Sequence, residues 1–159
     1  MTSPLPPAAL RVAAAATAAG LATEVHEMPA STRTAVDAAK ACGCVVAQIV
    51  KSLVFRGATT GTPYLLLVSG ANRVNEQAVA ATLGEALMRP DANYVRDITG
   101  FAIGGIPPLG HATALATYID TDLLAFDVVW AAAGTPNCVM RLEPQALRHA
   151  TAAIVLAVK

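Results

Sequence analysis

The chain has 159 residues, of which only 14% are charged, and its 11 basic and 11 acidic side chains give a formal net charge of zero. A chain of this length buries a sizeable core without needing disulfides or a structural metal, so we predict one domain over residues 1–159. The balanced charge argues against a protein that coats long DNA or RNA, although it is compatible with binding to one small part of a nucleic acid.

The first predicted element is a helix over residues 7–19. Pro6 and Pro7 suit a first helical turn, and Gly20 suits the position just past a helix end. Loose alternation of apolar and polar residues over 22–28 then favours a strand.

A second, short helix is predicted from its two ends. Thr34 with Asp37 resembles a capping box that opens a helix through Cys42, and Gly43 closes it. The remaining helices are predicted at 75–83, 91–98 and 145–150, and the remaining strands at 49–56, 63–69, 116–119, 127–131, 137–142 and 153–158.

The order of these elements indicates the fold class. Helices and strands are interspersed without a regular βαβ repeat, which predicts an α/β (mixed α+β) fold. We expect a mixed sheet, curled towards a barrel, with helices packed outside it.

Two apolar stretches superficially resemble targeting or membrane segments. Residues 12–23 are mostly alanine and follow three prolines, so a buried first helix is favoured over a signal peptide. Residues 98–119 hold no Asp, Glu, Lys or Arg, but their glycines and prolines exclude a helix in lipid. The odd number of cysteines, Cys42, Cys44 and Cys138, favours a reducing cytoplasm, and no membrane association is expected.

The segment 99–111 contains four glycines and two prolines directly after a predicted helix. Glycine permits close approach and positive φ, whereas proline freezes its own φ, so the loop should be rigid and unusually shaped. Such a loop can aim backbone N–H groups at a ligand. Because Pro107 and Pro108 have no N–H, the donors must come from neighbours such as Gly104, Gly105, Ile106 or Leu109.

Lys51 lies within a strand of residues that favour burial. The Lys51 side chain could extend to solvent at the exposed end of the strand. Alternatively, it could be held beside a pocket, where its ammonium group would bind an anion or a carbonyl oxygen. A Schiff-base lysine is a third reading, although nothing else in the chain suggests aldolase or pyridoxal chemistry. Composition leaves these readings open.

Other polar residues give weaker signals. His111 could be a general base or could make an ordinary backbone hydrogen bond. Four arginines flank the predicted elements and are either solvated or form a small phosphate-binding rim: Arg33, Arg56, Arg73 and Arg96. The pair Cys42 and Cys44 lacks a second ligand pair, and no phosphate loop, nucleophile elbow or dinucleotide fingerprint is present, so neither a metal nor a cofactor is predicted.

Four segments together resemble the YbaK/aminoacyl-tRNA-editing domain family, which includes the inserted editing domain of bacterial prolyl-tRNA synthetases and its free-standing, ProX-like relatives. They are Ser-Thr-Arg-Thr-Ala at 31–35, Gln-Ile-Val-Lys-Ser-Leu-Val-Phe at 48–55, Ser-Gly-Ala-Asn-Arg-Val at 69–74, and the glycine-proline loop at 99–111. The resemblance runs from about Ser31 to the C-terminus and leaves the first helix and strand, residues 1–30, outside it.

The resemblance implies a mixed fold with a barrel-like sheet. It also implies hydrolysis of the ester that joins a wrong amino acid to the 3′-terminal adenosine of a tRNA, without a protein nucleophile and with help from a ribose hydroxyl of the substrate. The family's lysine matches Lys51, and its G-x-x-x-P loop matches 104–108. Catalytic roles are therefore expected for Lys51, Gly104, Gly105 and Ile106, and substrate-binding roles for Thr32, Arg33, Pro107, Pro108, His111 and Asn137.

One departure from the family pattern affects the choice of substrate. Some relatives carry an Asp or His near the positions held here by Asn-Cys-Val at 137–139, and Asn137 could instead hydrogen-bond at a pocket wall or serve as a turn residue. We predict a stand-alone, cytoplasmic deacylase of tRNA mischarged with a small amino acid and related to tRNA-Pro. Its expected partners are the tRNA acceptor end and a synthetase, but not DNA. The alternatives are a non-catalytic binding module of the same fold and a small-molecule amidase or esterase.

Overall fold

The computed structural model describes residues 4–159; residues 1–3 of the predicted domain lie outside the described part. Within that part the α-helices are α1 (Pro7–Ala18), α2 (Ala35–Cys42), α3 (Glu76–Leu83), α4 (Ala92–Thr99) and α5 (Pro144–Thr151). The strands are β1 (Val25–Glu27), β2 (Ile49–Gly57), β3 (Pro63–Ser69), β4 (Leu87–Met88), β5 (Ala116–Asp120), β6 (Val129–Ala132), β7 (Cys138–Leu142) and β8 (Ile154–Leu156). No helix in residues 4–159 is long and apolar enough to cross a membrane.

Every element predicted from the sequence is present, most with bounds shifted by one or two residues. The ends of α2 follow the predicted chemistry: the Thr34 side chain accepts a hydrogen bond from the Asp37 N–H at 3.1 Å, and Gly43 ends the helix with φ of +69°. Strands β1 and β8 are shorter than predicted. The two-residue strand β4 and the 3-10 turns at Val46–Gln48 and Thr121–Ala125 were not predicted.

The strands form one mixed sheet in the order β1-β7-β6-β2-β3-β5-β8, with β4 paired to β2. The pairs β2–β6, β3–β5 and β5–β8 are parallel, and the others are antiparallel. The predicted mixed α/β fold is therefore confirmed.

Strand β2 is fully paired along one edge only. On one side, Val50 to Arg56 pair with β3 throughout. On the other side, β6 reaches only the start of β2, at Ile49 and Val50, and β4 reaches only its end, at Arg56 and Gly57. The edge between them is left open.

The open edge has a cause at each end. After β6 the chain turns back towards β7, with the Ala133 N–H donating to the Cys138 carbonyl at 2.9 Å. On the β4 side, the next position facing β2 would be Pro90, which has no N–H with which to continue a ladder. Neither neighbouring strand can extend along the middle of β2.

The two faces of the sheet carry separate cores. The larger core packs α1 against β2, β3 and the glycine-proline loop, and includes Val12, Val50, Leu67, Phe101 and Leu109. A smaller core packs α3 against the opposite face of β2 and β3. Because Phe101 and Leu109 are buried at either end, the loop between them is anchored to the sheet beside the open edge of β2.

Candidate functional site

A cavity of about 320 Å³, called here the main cleft, lies between the open edge of β2, the start of α2 and the glycine-proline loop. Its lining includes Thr32, Arg33, Lys51, Ser52, Leu53, Ile103, Gly104, Ile106, Trp130, Ala131, Ala132 and Val139. A second cleft of about 360 Å³ adjoins it on the β4 side and also contains Arg73 and Arg89. Both clefts share Lys51, Ser52, Leu53, Ile103 and Ile106.

Lys51 is held at the wall that the two clefts share. Its Nζ donates to the Asn72 carbonyl oxygen at 2.5 Å. Partial burial lowers the pKa of Lys51 from its ordinary value, the Asp120 carboxylate opposes that shift, and Arg73 adds to it. An ammonium carries three protons. Lys51 makes no further hydrogen bond to the described residues, so its remaining N–H groups can bind a ligand. The hypothesis that this lysine is held beside a pocket requires such free donors.

The base of the glycine-proline loop is pinned by backbone hydrogen bonds. The N–H groups of Ala112 and Thr113 donate to the carbonyls of Thr99 and Ile98, each at 3.0 Å. From the first helix, Arg11 donates to the Gly100 carbonyl at 3.0 Å, and its guanidinium lies over the Phe101 ring. These contacts fix the ends of the loop, as the sequence predicted for a rigid segment.

The two adjacent glycines in this loop have different roles. Gly104 has φ of +100° and lies under the Arg33 side chain, where an added Cβ would be 3.1 Å from Arg33 Cγ. Gly105 packs so closely on Thr135 that an added Cβ would lie 2.7 Å from its Cα. The Gly105 N–H donates to the Ala102 carbonyl at 3.1 Å, so it is already engaged.

Of the three loop residues predicted to be catalytic, two keep a backbone N–H that could stabilise an oxyanion. The backbone N–H groups of Gly104 and Ile106 make no hydrogen bond in residues 4–159, and both residues line the main cleft. The geometry does not support a donor role for Gly105, which instead joins the loop to the β6–β7 turn by accepting from the Gly134 N–H at 2.8 Å.

Three residues predicted to bind substrate lie outside both cleft linings. Pro107 and Pro108 are buried in the body of the loop. His111 Nε2 lies 2.7 Å from the Pro107 carbonyl oxygen, and burial lowers the pKa of its imidazole. Their contacts show that these residues shape the loop, and they do not support contact with a substrate.

Of the other predicted binding residues, two line the main cleft and one does not. Buried Thr32 lines the main cleft, and its N–H and Oγ1 both donate to the Pro136 carbonyl, at 2.7 and 2.8 Å. Exposed Arg33 also lines it. Asn137 does not: its carbonyl accepts from the Met28 N–H at 2.7 Å, and Val139 reaches the cleft instead.

Part of the wall of the main cleft was not predicted from the sequence. Trp130, Ala131 and Ala132 follow from the pairing of β6 with β2, which no local pattern indicates. Ser52 is adjacent to Lys51, and its buried Oγ has no hydrogen-bond partner among the described residues. Of the four arginines proposed as a rim, Arg33 borders the main cleft and Arg73 the second cleft, whereas Arg56 lies over the Tyr94 ring.

Among residues 4–159, no cysteine lines the main cleft, and no thiol has a lowered pKa. Burial raises the pKa of Cys42 to about 11, with a further contribution from Cys44, and burial also raises the pKa values of Cys44 and Cys138. Within residues 4–159 no three His, Cys, Asp or Glu side chains are grouped so as to hold a metal ion. The site combines a cation with backbone donors around a small cavity, an arrangement suited to stabilising an oxyanion.

The chain is similar to known proteins over most of its length. The family model of the aminoacyl-tRNA editing domain matches residues 29–150. The uncharacterized protein YwhH of Bacillus subtilis (strain 168) is 33% identical over 125 residues, which is 78% of each chain.

Two solved structures resemble the whole fold. One is the crystal structure of a protein proposed to be a trans-editing enzyme for prolyl tRNA synthetase, with a TM-score of 0.93 and 48% identity over 98% of this chain and 99% of that one. The other, the hypothetical protein APE2540, has a TM-score of 0.86 and 29% identity over 93% of this chain and 98% of that one. Since the family model covers most of its length, the chain belongs to the aminoacyl-tRNA editing domain family.

Proposed function

We propose that this protein is a stand-alone aminoacyl-tRNA deacylase, which hydrolyses the ester of a tRNA mischarged with a small amino acid. The observation that carries the proposal is that Lys51, Gly104 and Ile106 all line one small cavity, while the N–H groups of Gly104 and Ile106 have no hydrogen-bond partner in residues 4–159. Ester hydrolysis passes through a tetrahedral oxyanion, which fixed donors of this kind stabilise without reorganisation.

In the proposed reaction, the water oxygen forms a bond to the ester carbonyl carbon. The π electron pair of the C=O bond moves onto the carbonyl oxygen, which becomes the oxyanion. The bond from that carbon to the ribose oxygen then breaks, and a proton from the water passes to the leaving ribose oxygen. The family resemblance implies that the vicinal ribose hydroxyl of the substrate positions the water, and the described lining of the main cleft, which has no Asp, Glu or His, agrees with this. The Lys51 side chain holds the substrate carbonyl or a neighbouring phosphate in place.

The lining of the cleft supports a small amino acid. Four alanines, Ala35, Ala38, Ala131 and Ala132, are among the residues that form its wall. A pocket of this kind discriminates one methylene by only about 1–3 kcal/mol. We propose tRNA-Pro as the candidate tRNA, on the strength of the 48% identical structure, with action in the cytoplasm and a synthetase as a further partner.

The test is a deacylation panel over tRNAs mischarged with alanine, cysteine, serine, threonine and small non-protein amino acids. We expect release from at least one, and Lys51→Ala should abolish it while leaving the circular dichroism spectrum unchanged. Lys40→Ala removes an exposed lysine from the end of α2 and serves as the matched control. Full activity in Lys51→Ala would refute the assigned role.

A second candidate is a non-catalytic module that binds an aminoacyl-tRNA end or a synthetase. It is favoured by the apolar wall at Val139, where some relatives carry an Asp or His nearby. Micromolar binding to a charged acceptor stem without turnover of any member of the panel would support this reading over the deacylase.

A further inference from the structure

The backbone of β2 alternates in direction, and its hydrogen bonds show which residues face the open edge. The Gly57 N–H donates to the Thr62 carbonyl at 2.8 Å, and the Ile49 carbonyl accepts from the Gly70 N–H at 2.7 Å. Odd-numbered residues of β2 therefore direct their N–H and C=O groups towards β3. By the alternation of an antiparallel ladder, Ser52 and Val54 direct theirs to the opposite edge.

That edge carries unpaired backbone groups. Val50 and Arg56 pair with β6 and β4, but Ser52 and Val54, which lie between them, pair with no strand on this side. No hydrogen bond to their N–H or C=O groups from outside the sheet occurs in the described part of the chain. Half-buried backbone groups without partners are uncommon unless a ligand or water completes them.

The order of the groups along this edge defines a recognition pattern. The carbonyl of residue i lies next to the N–H of residue i+2 on the same edge of a strand. Ser52 thus presents an acceptor beside the donor of Val54. The Watson–Crick edge of adenine has the complementary order, with the N6 amino group as donor beside N1 as acceptor.

The surroundings suit a flat base attached to a charged backbone. Ser52 and Val54 both line the second cleft, which is bounded by the apolar side chains of Val74, Val95 and Ile106. Arg73 is exposed in the same cleft and makes no ion pair in residues 4–159. Because Lys51 belongs to both clefts, a base in the second cleft would place its ribose ester beside the main cleft.

We propose that the open edge of β2 reads the terminal adenine of the substrate, with adenine N6 donating to the Ser52 carbonyl and the Val54 N–H donating to adenine N1. The second cleft is then the nucleoside subsite, the main cleft holds the amino acid, and Arg73 faces the phosphate of the terminal nucleotide. This inference rests on the proposed function, which supplies a substrate that ends in adenosine.

The experiment changes the base, because a backbone group cannot be removed from β2 by an ordinary substitution. Acceptor-stem minihelices carrying the same amino acid are prepared with terminal adenosine, 7-deazaadenosine, purine riboside or inosine. Purine riboside lacks the N6 amino group, and inosine reverses the pattern to acceptor at position 6 and donor at N1. 7-Deazaadenosine keeps the Watson–Crick edge and is the matched control.

We expect kcat/KM to be equal for adenosine and 7-deazaadenosine, to fall about 3- to 10-fold for purine riboside, and to fall further for inosine, where two hydrogen bonds become repulsive contacts. Equal rates for all four bases, or a loss with 7-deazaadenosine alone, would overturn the proposal while leaving the deacylase function intact.

Binding gives a readout that is independent of turnover. Dissociation constants of 3′-aminoacylamido analogues, which cannot be hydrolysed, are measured for the adenosine and inosine forms by calorimetry. Tighter binding of the adenosine form supports the subsite even if no ester in the panel is cleaved, and equal affinities refute it. Arg73→Gln should weaken binding of the 5′-phosphorylated adenosine analogue and leave the unphosphorylated one unchanged, with exposed Arg141→Gln as control.

Discussion

Lys51 and Asn72 are joined by a hydrogen bond from the lysine Nζ to the asparagine carbonyl oxygen, and the Asn72 side chain is itself held by two carboxylates. Its Nδ2 donates to Asp120 Oδ2 at 2.9 Å and to Asp122 Oδ2 at 2.7 Å. Asp120 is buried and also accepts from the Ser69 N–H at 3.0 Å. The position of the lysine thus depends on a polar network on the turn after β3.

Asn72→Ala should reduce both stability and deacylation. The substitution removes two donors and leaves the buried Asp120 carboxylate with fewer partners, which costs about 1–3 kcal/mol of unfolding free energy. It also loosens the turn that presents the carbonyl to Lys51, so kcat should fall more than KM rises. Urea unfolding and steady-state kinetics measure the two effects.

Asn93→Ala, on an exposed position of α4, is the control and should change neither quantity. Unchanged kcat in a folded Asn72→Ala variant would show that the network does not position the lysine.

The hydroxyls of Ser52 and Ser69 can be compared to test what a hydrogen-bond partner contributes to stability. Ser52 Oγ has no partner in the described residues, whereas Ser69 Oγ donates to the Ala47 carbonyl at 2.7 Å. An unsatisfied buried hydroxyl destabilises the folded state, so Ser52→Ala should leave the unfolding free energy unchanged or raise it by about 1 kcal/mol.

By the same reasoning, Ser69→Ala should lower the unfolding free energy by about 1 kcal/mol or more, because the Ala47 carbonyl loses its donor. Both variants are compared in one set of urea titrations. A larger loss for Ser52→Ala than for Ser69→Ala would mean that the Ser52 hydroxyl has a partner in solution.

Helix ends and strand identities could be predicted because their causes are local. Thr34, Asp37 and Gly43 lie within ten residues of one another and define α2 by themselves. The open edge of β2 has no local cause: it depends on where β6 turns away and on Pro90, which is far from Ser52 in sequence. For the same reason the sequence could not show that the Gly105 N–H is already engaged while those of Gly104 and Ile106 are free.

Three glycine-to-alanine substitutions distinguish two causes of lost stability, which are backbone strain at positive φ and steric contact of the added Cβ. At Gly84, with φ of +88°, nothing lies within 4 Å of an added Cβ, so Gly84→Ala should cost only the left-handed conformation, about 1–2 kcal/mol. At Gly105 an added Cβ would lie 2.7 Å from Thr135 Cα, and the rigid backbone there cannot yield easily. Gly105→Ala should therefore lose more stability than Gly84→Ala.

Gly104→Ala should resemble Gly84→Ala in thermal stability, because the atom that its Cβ meets belongs to the long Arg33 side chain. It should nevertheless lower kcat, since the added Cβ displaces the Arg33 side chain at the lining of the main cleft, beside the proposed oxyanion donors. Scanning calorimetry and kinetics on the three variants test this order. Equal stability of Gly105→Ala and Gly84→Ala would contradict the close packing of the loop on the β6–β7 turn.

Glu85 should make stability depend on pH in the acid range. Its Oε1 accepts from the N–H groups of Thr59 and Thr60, at 3.0 and 2.9 Å, and its Oε2 accepts from the hydroxyls of Thr60 and Tyr64, each at 2.7 Å. These bonds, those from Thr60 foremost, lower the pKa of Glu85 to about 2. A depressed folded-state pKa means that the unfolded chain takes up the proton first as pH falls.

The stabilisation by Glu85 should therefore be complete above its ordinary pKa of 4.5 and should disappear as pH falls towards about 2. Thermal unfolding is followed between pH 7 and pH 2 for the wild type and for Glu85→Gln, which keeps the shape but cannot ionise. The difference in Tm between the two should be largest above pH 5 and should shrink through this window. A difference that stays constant over the whole range would show that ionisation of Glu85 has no part in holding the turn at residues 57–61 against β3.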